Sequence, residues 1–384
     1  IISFVLVNHS KIQIMKTWIM GCSMLLTMMW SACSSIEKEP QTLFHFEKMN
    51  EKSCKLSELL TDVEIIPLET NDSSLLDVQA KYLAIKGSIY ASSMNEIFKF
   101  DGKGKFVGKL SRIGQGPGDY TSINDYEVVS RGGKLEIWIA HPKGISRYDE
   151  KTFSYLGMIP TRSNIESFTY ISDETIIVKT TEEYTFHLCN MKGTFRHTFL
   201  KRDPANLTVQ LLPFIEMDGR KFYCIDQTDE AVVYNEQTDS LELLKYASGN
   251  IDKLLTRKDN QEYMERYGYL EQAGKVEETF TRLVTVRRHG DASIAFLRSP
   301  KDEKMLVRRG NGNEWDSYML HPKASIESDL LPGMNVRFLV TAVSCDSDDS
   351  FICCVHAPSL AGTEINGKVI DEEDNPVIVK YLIR

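Results

Sequence analysis

The sequence predicts an all-β fold, specifically a six-bladed β-propeller. After a polar stretch near the N-terminus, short apolar runs separated by tight-turn residues recur to the end of the chain. Units of several such runs begin at irregular steps of roughly 40 to 70 residues, and propeller blades repeat on a similar scale. The roughly 320 residues in this part of the chain leave room for six blades with insertions.

The clearest unit of this pattern spans Ser88 to Leu110 and reads as three strands. Asp101-Gly102-Lys103-Gly104 separates the last two of them, and it predicts a tight turn because glycine accepts positive φ without a steric penalty. Later units of the same kind begin near Leu135, Thr175, Lys221 and Ser293. A β-sandwich rarely needs so many strands, so the repetition favours a propeller.

The two ends of this domain also carry strong β patterns. Val63-Glu64-Ile65-Ile66 lies near its start, and Val377 to Leu382 forms an apolar run at the C-terminus. In many propellers the first and last strands share a blade and close the ring, which removes exposed strand edges. We therefore predict that the N- and C-terminal strands pair in one blade.

One segment, from Ile251 to Thr281, departs from the strand pattern. It is charged, and apolar residues recur in it at helical spacing: Tyr263, Met264, Tyr267 and Leu270. This periodicity predicts a short helical insertion between blades. A solvated helix packed on the rim is the simplest interpretation of it.

Composition excludes one class of partner. Hydrophobic residues make up 42% of the chain and charged residues 26%, which is enough apolar material for a large core. The net charge is -9, and the lysines and arginines are scattered along the chain. Nucleic acid is not an expected partner, because a phosphate backbone requires clustered positive charge.

The N-terminal residues 1–33 have the features of a secretory signal. Met15-Lys16 precedes an uncharged run from Trp18 to Trp30, and the small residues Ser31-Ala32-Cys33 follow. A positive start, a short apolar run and small residues at its end are typical of an export signal. The run is too short to span about 30 Å of hydrocarbon as a helix. Residues 1–14 precede Met15, and we interpret them as upstream of the signal.

Ser31-Ala32-Cys33 resembles the lipobox of bacterial lipoproteins, in which the cysteine is acylated and becomes the mature N-terminus. This resemblance implies that Cys33 carries lipid and attaches the protein to a membrane. Trp30 stands where the lipobox usually has an aliphatic residue. Residues 34–56 are predicted to be a polar tether, and residues 57–384 the propeller. The implied location is the outer membrane, facing the periplasm or the cell surface.

The stretch from Arg112 to Tyr120 (RIGQGPGDY) is the most distinctive local motif. Successive glycines present backbone N–H groups that could bind an anion. The motif lacks the Lys-Ser/Thr of a phosphate-binding P-loop, and a strand pattern follows it. Two interpretations stay open: a tight crossing between blades and a ligand contact at the propeller face. The candidate residues are Arg112, Gln115, Gly116, Gly118, Asp119 and Tyr120.

Three stretches resemble a known family: Leu59 to Thr70, Phe98 to Tyr120 and Glu372 to Leu382. They are similar to the exported six-bladed β-propeller lipoproteins of Gram-negative bacteria, which are common in carbohydrate-scavenging gut species. The Gly-Gln-Gly-Pro-Gly turn and the Asp-Asn-Pro before the last strand are the sharpest signatures. The resemblance implies the propeller fold and export. The biochemical role of this family is largely undefined.

The cysteines after the signal show no CxxC spacing, so neither a zinc site nor a redox site is indicated. Disulfides are permitted in an oxidising compartment, but we expect unpaired cysteines that behave as small buried hydrophobes. Cys353 and Cys354 are adjacent in an apolar run and should point to opposite faces of a strand. The whole set is Cys54, Cys189, Cys224, Cys345, Cys353 and Cys354.

No catalytic or metal site emerges from the sequence, and no cofactor is predicted. The histidines show no HxH or HExxH spacing, and no GxSxG motif is present. His141 lies in a predicted turn, where a lone histidine is usually a surface residue. Carboxylates are plentiful, but a glycosidase pair is defined by its separation in space.

These observations lead to one functional hypothesis and one alternative. We expect a membrane-anchored binding or scaffold module with a glycan or protein partner in nutrient acquisition. The alternative is a propeller-type carbohydrate-active enzyme, a hydrolase or lyase, with acidic residues around the central channel. The side chains that line the central channel should distinguish the two.

Overall fold

The structure is a computed structural model that describes residues 43–77, 81–202, 214–217, 219–225, 227–310, 312–331, 334–341, 344–345 and 350–384. In chain order the described elements are β1 (Phe44–Phe46), β2 (Lys48–Lys52), β3 (Cys54–Lys55), helix α1 (Leu56–Leu59), β4 (Leu60–Pro67), β5 (Lys81–Ile85), β6 (Ser88–Ser93), β7 (Glu96–Asp101), β8 (Phe106–Leu110), β9 (Asp125–Arg131), β10 (Lys134–His141), β11 (Gly144–Asp149), β12 (Tyr155–Pro160), β13 (Ile165–Ser172), β14 (Thr175–Thr180), β15 (Tyr184–Cys189), β16 (Phe195–Lys201), β17 (Phe214–Met217), β18 (Arg220–Cys224), β19 (Glu230–Asn235), β20 (Ser240–Lys245), β21 (Ala247–Gly249), helix α2 (Arg257–Thr279), β22 (Arg282–His289), β23 (Ala292–Arg298), β24 (Glu303–Arg309), β25 (Glu314–His321), β26 (Ile326–Glu327), helix α3 (Phe338–Thr341), β27 (Ser344–Cys345), β28 (Phe351–Val355), a 3-10 turn (Ala357–Leu360), β29 (Glu364–Ile365), β30 (Lys368–Val369) and β31 (Val377–Ile383).

These strands form the six blades of a β-propeller, as the sequence predicts. Blades 1 to 4 are the consecutive antiparallel sheets β5–β8, β9–β12, β13–β16 and β17–β20. Blade 5 contains β22–β25 with β2 added at its outer edge, and blade 6 has the order β27-β28-β31-β4. In blades 1 to 5 the first strand of the antiparallel sheet lines the centre of the ring, whereas in blade 6 the strand that comes first in the chain, β4, forms the outer edge.

The ring is closed in blade 6 by pairing of the two ends of the domain. Strand β31 lies between β28 and β4, and its Val379 pairs with Ile65 while its Ile378 pairs with Ile66. Both β31 side chains are fully buried. The predicted pairing is therefore confirmed, and it makes the first blade a neighbour of the last.

Disrupting this closure should unfold the whole ring. Ile378→Ala removes a buried side chain that packs between blades 6 and 1, so we expect a loss of about 2–5 kcal/mol in the free energy of unfolding. Deleting residues 376–384 should abolish cooperative thermal unfolding. Val369→Ala is the matched control, since Val369 is 61% exposed. A truncated chain that melts like the wild type would contradict the closure model.

The N-terminal segment forms part of the folded domain, in contrast to the predicted tether boundary at residue 56. Residues 44–55 contain β1, β2 and β3, which pair in parallel with β21, β25 and β26. We refer to residues 43–55 as the N-terminal strap. The strands of the strap are short and its second strand is strongly charged, so their local pattern resembles that of a polar tether.

Apolar and aromatic contacts hold the strap against blades 4 and 5. Phe44 and Phe46 are buried, and the ring of Phe46 lies 4.7 Å from that of Trp315. The indole nitrogen of Trp315 donates a 3.0 Å hydrogen bond to the carbonyl of His45. The guanidinium of Arg308 lies over both aromatic rings, 4.8 Å from Trp315 and 5.5 Å from Phe44. The strap is therefore part of the core between these blades.

Phe46→Ala tests this assignment. The change leaves a cavity in a packed aromatic cluster, so we expect a loss of about 3–5 kcal/mol in the free energy of unfolding. Lys48→Ala is the control, because Lys48 makes only a solvent-exposed ion pair with Glu314. Chemical denaturation followed by tryptophan fluorescence measures both. If the two variants unfold at the same denaturant concentration, the strap does not contribute to the core.

Three buried cysteines, Cys189, Cys353 and Cys354, contribute to the core as small hydrophobes, and Cys54 and Cys224 are half-buried. None of the five forms a disulfide in the described part of the chain. Cys353 packs in the cluster between blades 5 and 6, whereas Cys354 packs in the cluster between blades 6 and 1. The two adjacent side chains thus point to opposite faces of β28, as predicted. The side chain of Cys345 lies outside the described residues.

The predicted helical insertion is present as α2, between blades 4 and 5. Thr256 begins it with a capping box, in which its hydroxyl accepts from the Asp259 N–H. Gly268 interrupts the helix with φ 71° and ψ 173°, a conformation that is cheap only for glycine. Among the described residues no helix is long and apolar enough to cross a membrane. Cys33 and the rest of the predicted signal lie outside the described residues.

Candidate functional site

The centre of the propeller contains a cavity of about 1240 Å³. It is lined by the first strands of blades 1 to 5 and by turns that join first to second strands in those blades. The cavity wall combines charged side chains with apolar and aromatic ones. A large cavity with both polar and apolar walls is a suitable place for a ligand.

Asp125, two residues before the cavity-lining Glu127, is buried and connects three blades. Its Oδ1 accepts a 2.6 Å hydrogen bond from Lys81 Nζ of blade 1, and its Oδ2 accepts a 3.1 Å bond from the Phe168 N–H of blade 3. Lys81 Nζ also donates to the carbonyl of Tyr126 at 2.9 Å. The carboxylate is buried, so these donors replace the water that it loses.

Glu127 repeats this arrangement two residues further along β9, on the same face of the strand. Its Oε1 accepts from the hydroxyl of Thr169 at 3.0 Å, and its Oε2 accepts from the Tyr170 N–H at 2.7 Å. Oε1 also lies 3.4 Å from Lys221 Nζ, which belongs to blade 4. Glu127 therefore links blade 2 to blade 3 through the backbone and to blade 4 across the cavity.

Lys221 is shared by two carboxylates. Its Nζ lies 2.8 Å from Glu216 Oε2 in addition to its contact with Glu127. Burial lowers the pKa of Lys221, but the charges of Glu127 and Glu216 and their hydrogen bonds raise it more, so its pKa is above the ordinary value. The cavity therefore contains a charged ammonium held between two carboxylates, with hydrogen-bond donors and acceptors side by side.

Aromatic side chains complete the wall next to these charges. Tyr170, Phe214 and Tyr234 are half-buried and line the same cavity. The hydroxyl of Tyr170 donates a 3.0 Å hydrogen bond to Asp173. Burial, followed by this neighbouring carboxylate, raises the pKa of Tyr170 to about 12. The ring therefore stays neutral and presents a fixed apolar face.

The motif from Arg112 to Tyr120 forms the crossing from blade 1 to blade 2. The Gly114 N–H donates to the Tyr120 carbonyl and the Tyr120 N–H donates to the Arg112 carbonyl, each at 3.0 Å. The Gly116 N–H donates to Asp119 Oδ2 at 2.9 Å. The Asp119 carboxylate therefore already accepts the hydrogen bond of the Gly116 N–H. This amide is used within the turn and is not offered to an external anion.

Two of these glycines are required by close contacts. A Cβ on Gly114 would lie 2.5 Å from Asp119 Oδ2, and one on Gly118, which has φ 79°, would lie 2.7 Å from the ring of Tyr155. Arg112 and Asp119 border a separate depression of about 510 Å³ at the rim, away from the central cavity. The predicted candidates Arg112, Gln115, Gly116, Gly118, Asp119 and Tyr120 thus lie together in the turn, and their role in ligand contact stays a prediction.

His141 is buried, contrary to the expectation of a surface residue. Its Nε2 lies 2.9 Å from the hydroxyl of Ser146, and its ring packs 6.4 Å from that of Tyr120. Burial, with a smaller effect of Lys143, lowers the pKa of His141. Turn residues are usually exposed, but here the neighbouring crossing covers the imidazole.

Sequence patterns did not identify the residues of the central cavity. Asp125, Glu127 and Lys221 belong to no motif, and Glu127 is 94 positions from Lys221. One weak sequence signal pointed to Glu127. Two carboxylates, Asp125 and Glu127, occupy alternate positions among the apolar residues of β9. Among the described residues no group of three or more His, Cys, Asp or Glu could hold a metal ion.

The cross-cavity link can be tested by its effect on stability. In Glu127→Gln the new amide group faces N–H donors, so we expect a loss of about 1–3 kcal/mol in the free energy of unfolding. Adding Lys221→Met should cost less than the sum of the single changes, because the two residues interact. Glu314→Gln, at an exposed ion pair, serves as the control. Additive losses would show that Glu127 and Lys221 are not coupled.

Comparisons with solved structures agree with the propeller fold. A protein of Bacteroides fragilis that is described as exported aligns with a TM-score of 0.68 and 14% identity, over 88% of this chain and 99% of that chain. The extracellular domain of a hybrid two-component system from B. thetaiotaomicron aligns with a TM-score of 0.39 and 8% identity, over 76% of this chain and 32% of that chain. A Bacteroides caccae protein of unknown function aligns with a TM-score of 0.39 and 9% identity, over 64% of this chain and 85% of that chain.

The first of these similarities supports the fold, and the other two are too weak to carry an argument. No curated protein is significantly similar to this chain. A family model matches residues 42–239, which is more than half of the chain and includes the strap and blades 1 to 3. The chain therefore belongs to the family described as Domain of unknown function (DUF4934).

Proposed function

We propose that this protein is a binding module that holds a glycan in the central cavity of the propeller. The observation that carries the proposal is the composition of the cavity wall, where the Glu127–Lys221–Glu216 group stands beside aromatic rings. Sugars present hydroxyl groups that donate and accept hydrogen bonds, and apolar C–H faces that pack on aromatic rings. The wall offers partners for both kinds of surface.

The size of the cavity supports a ligand larger than a single ion. Its volume of about 1240 Å³ lies slightly above the range usual for small-molecule sites, roughly 300–1,000 Å³. A short oligosaccharide would occupy it from the side of the turns between first and second strands. Lys86, Arg220 and Glu242 lie around the cavity and offer further polar contacts.

The charge arrangement favours binding over hydrolysis. A glycosidase needs one protonated and one ionised carboxyl group across the scissile bond. Glu127 and Glu216 instead both contact the ammonium group of Lys221, which lies between them. This pair therefore leaves no open space between its carboxyl groups for a glycosidic bond.

The same proposal places the protein on the outer membrane, with the propeller tethered through Cys33. The lipobox-like Ser31-Ala32-Cys33 and the preceding signal features support this, together with the description of the Bacteroides fragilis relative as exported. A tethered glycan-binding propeller would retain oligosaccharides near uptake machinery. Its role in nutrient acquisition would be retention and presentation of the ligand.

A glycan array with matched variants tests the proposed function. The wild-type protein should bind a restricted set of glycans, and Ile171→Trp, which fills the cavity wall, should lose them. Val369→Trp is the control, because Val369 is exposed and lies outside the cavity. Binding that survives Ile171→Trp would place the site elsewhere. Release of reducing sugar from a bound glycan would replace the binding proposal with catalysis.

A further inference from the structure

The outer strand of blade 2 is an apolar edge without a pairing partner in the described structure. Strand β12 (Tyr155–Pro160) pairs only with β11. Tyr155, Leu156 and Met158 are exposed by 38%, 43% and 37% respectively, which is unusual for large apolar side chains on one strand. Pro160 ends the usable edge, so Tyr155 to Ile159 offer backbone groups to an additional strand.

The other outer strands are protected by charge. Exposed sheet edges are normally guarded by charged side chains, which discourage pairing with another chain. Each of the remaining outer strands follows this rule: β4 contains Asp62 and Glu64, β8 contains Lys109, β16 contains Arg196 and Lys201, β20 contains Glu242 and Lys245, and β2, which covers β25 in blade 5, contains Lys48, Glu51 and Lys52. Strand β12 is the exception, since no charged residue occurs between its ends.

This protein already contains one example of strand addition at a blade edge. Strand β2 of the strap pairs in parallel along β25, from Lys48 beside Glu314 to Lys52 beside Tyr318. The outer edge of a blade in this ring therefore accepts an extended segment without distortion of the blade. Strand β12 has the same position in blade 2 as β25 has in blade 5.

Cations surround the two ends of β12. Lys151 lies in the turn that precedes the strand, and Arg112 belongs to the crossing whose Gly118 packs on Tyr155. At the other end, the carbonyl of Lys143 accepts from the Thr161 N–H, and Arg162 follows directly. All four side chains are exposed, and none has an ion-pair partner among the described residues. The nearby carboxylates of Asp119 and Asp149 accept hydrogen bonds from backbone amides of their own turns instead. Each end of β12 thus carries a pair of exposed cations, on a chain of net charge -9.

The positive charges at the two ends of β12 indicate which kind of segment could pair with this strand. Two copies of the chain paired through β12 in antiparallel orientation would bring the Arg112 and Lys151 end of one copy against the Lys143 and Arg162 end of the other. Like charges would then face each other at both ends of the pair, which is unfavourable. An acidic segment would instead satisfy the cations while its apolar side chains cover Leu156 and Met158.

We propose that β12 is a docking edge for an extended, acidic segment of a partner protein, which adds to blade 2 as a further strand. The segment would alternate apolar and acidic side chains, so that one face packs on Leu156 and Met158. The acidic positions would pair with Arg112, Lys143, Lys151 and Arg162. This site is distinct from the central cavity and does not depend on the proposed glycan function.

Fluorescence anisotropy with defined peptides tests the proposal. A short labelled peptide of alternating valine and glutamate should bind the wild-type protein, and a peptide of alternating valine and lysine should not. The double variant Leu156→Ser/Met158→Ser removes the apolar contacts without changing the charge and should weaken binding at least about tenfold. Leu270→Ser is the matched control, because Leu270 is 91% exposed on α2 and should leave binding unchanged.

Two further measurements separate strand addition from simple charge attraction. Hydrogen–deuterium exchange should show protection of the amides between Tyr155 and Ile159 when the acidic peptide is bound. The double variant Lys143→Glu/Arg162→Glu should reduce that binding. Failure of the acidic peptide to bind, equal binding of both peptides, or binding without protection of β12 would overturn the proposal. A wild-type dimer that Leu156→Ser/Met158→Ser dissociates would also overturn it, since the occupant would then be a second copy.

Discussion

The antiparallel pairing of β31 with β4 is the interaction on which the rest of the structure depends. A ring of blades that is open at one point would expose unpaired strand edges and two uncovered apolar faces. Here the last strand of the chain brings the first blade-forming strand into blade 6, with Val379 opposite Ile65. Tyr381 at the end of the same strand donates a 2.8 Å hydrogen bond to the Leu339 carbonyl. Closure therefore also fixes the chain between blades 5 and 6.

With the ring closed, the first strands converge and their polar side chains must find partners within the centre. Asp125 and Glu127 do so by accepting backbone N–H groups of β13 and ammonium groups of Lys81 and Lys221. These contacts satisfy buried charges, which would be costly without partners. Lys81, Glu127 and Lys221 also line the central cavity. Stability of the ring and the chemistry available to a ligand thus arise from one set of side chains.

Two features at the rim of the propeller, the strap and the open edge of β12, did not follow from the sequence pattern. The strap covers the edge of blade 5, and Phe46 and Trp315 bury its apolar side. Strand β12 leaves the edge of blade 2 open, and cations surround it. The two blades therefore differ at their outer edges. The N-terminal strap covers the edge of blade 5, whereas the edge of blade 2 is available to a partner. The proposed glycan site lies between these rims, in the centre.

Local patterns were sufficient to predict the propeller, its closing strands, the helical insertion and the opposite faces of Cys353 and Cys354. Each of these follows from turn residues, from alternation or from a terminal apolar run, which are properties of neighbouring residues. They were not sufficient for the strap, the burial of His141 or the Glu127–Lys221 link. Those features require contacts with residues that lie in other elements, such as Tyr120 beside His141, Lys221 beside Glu127 and Trp315 beside Phe46. Sequence by itself determined how each blade forms, and the tertiary structure decided which side chains meet in the centre, because only ring closure brings distant first strands together.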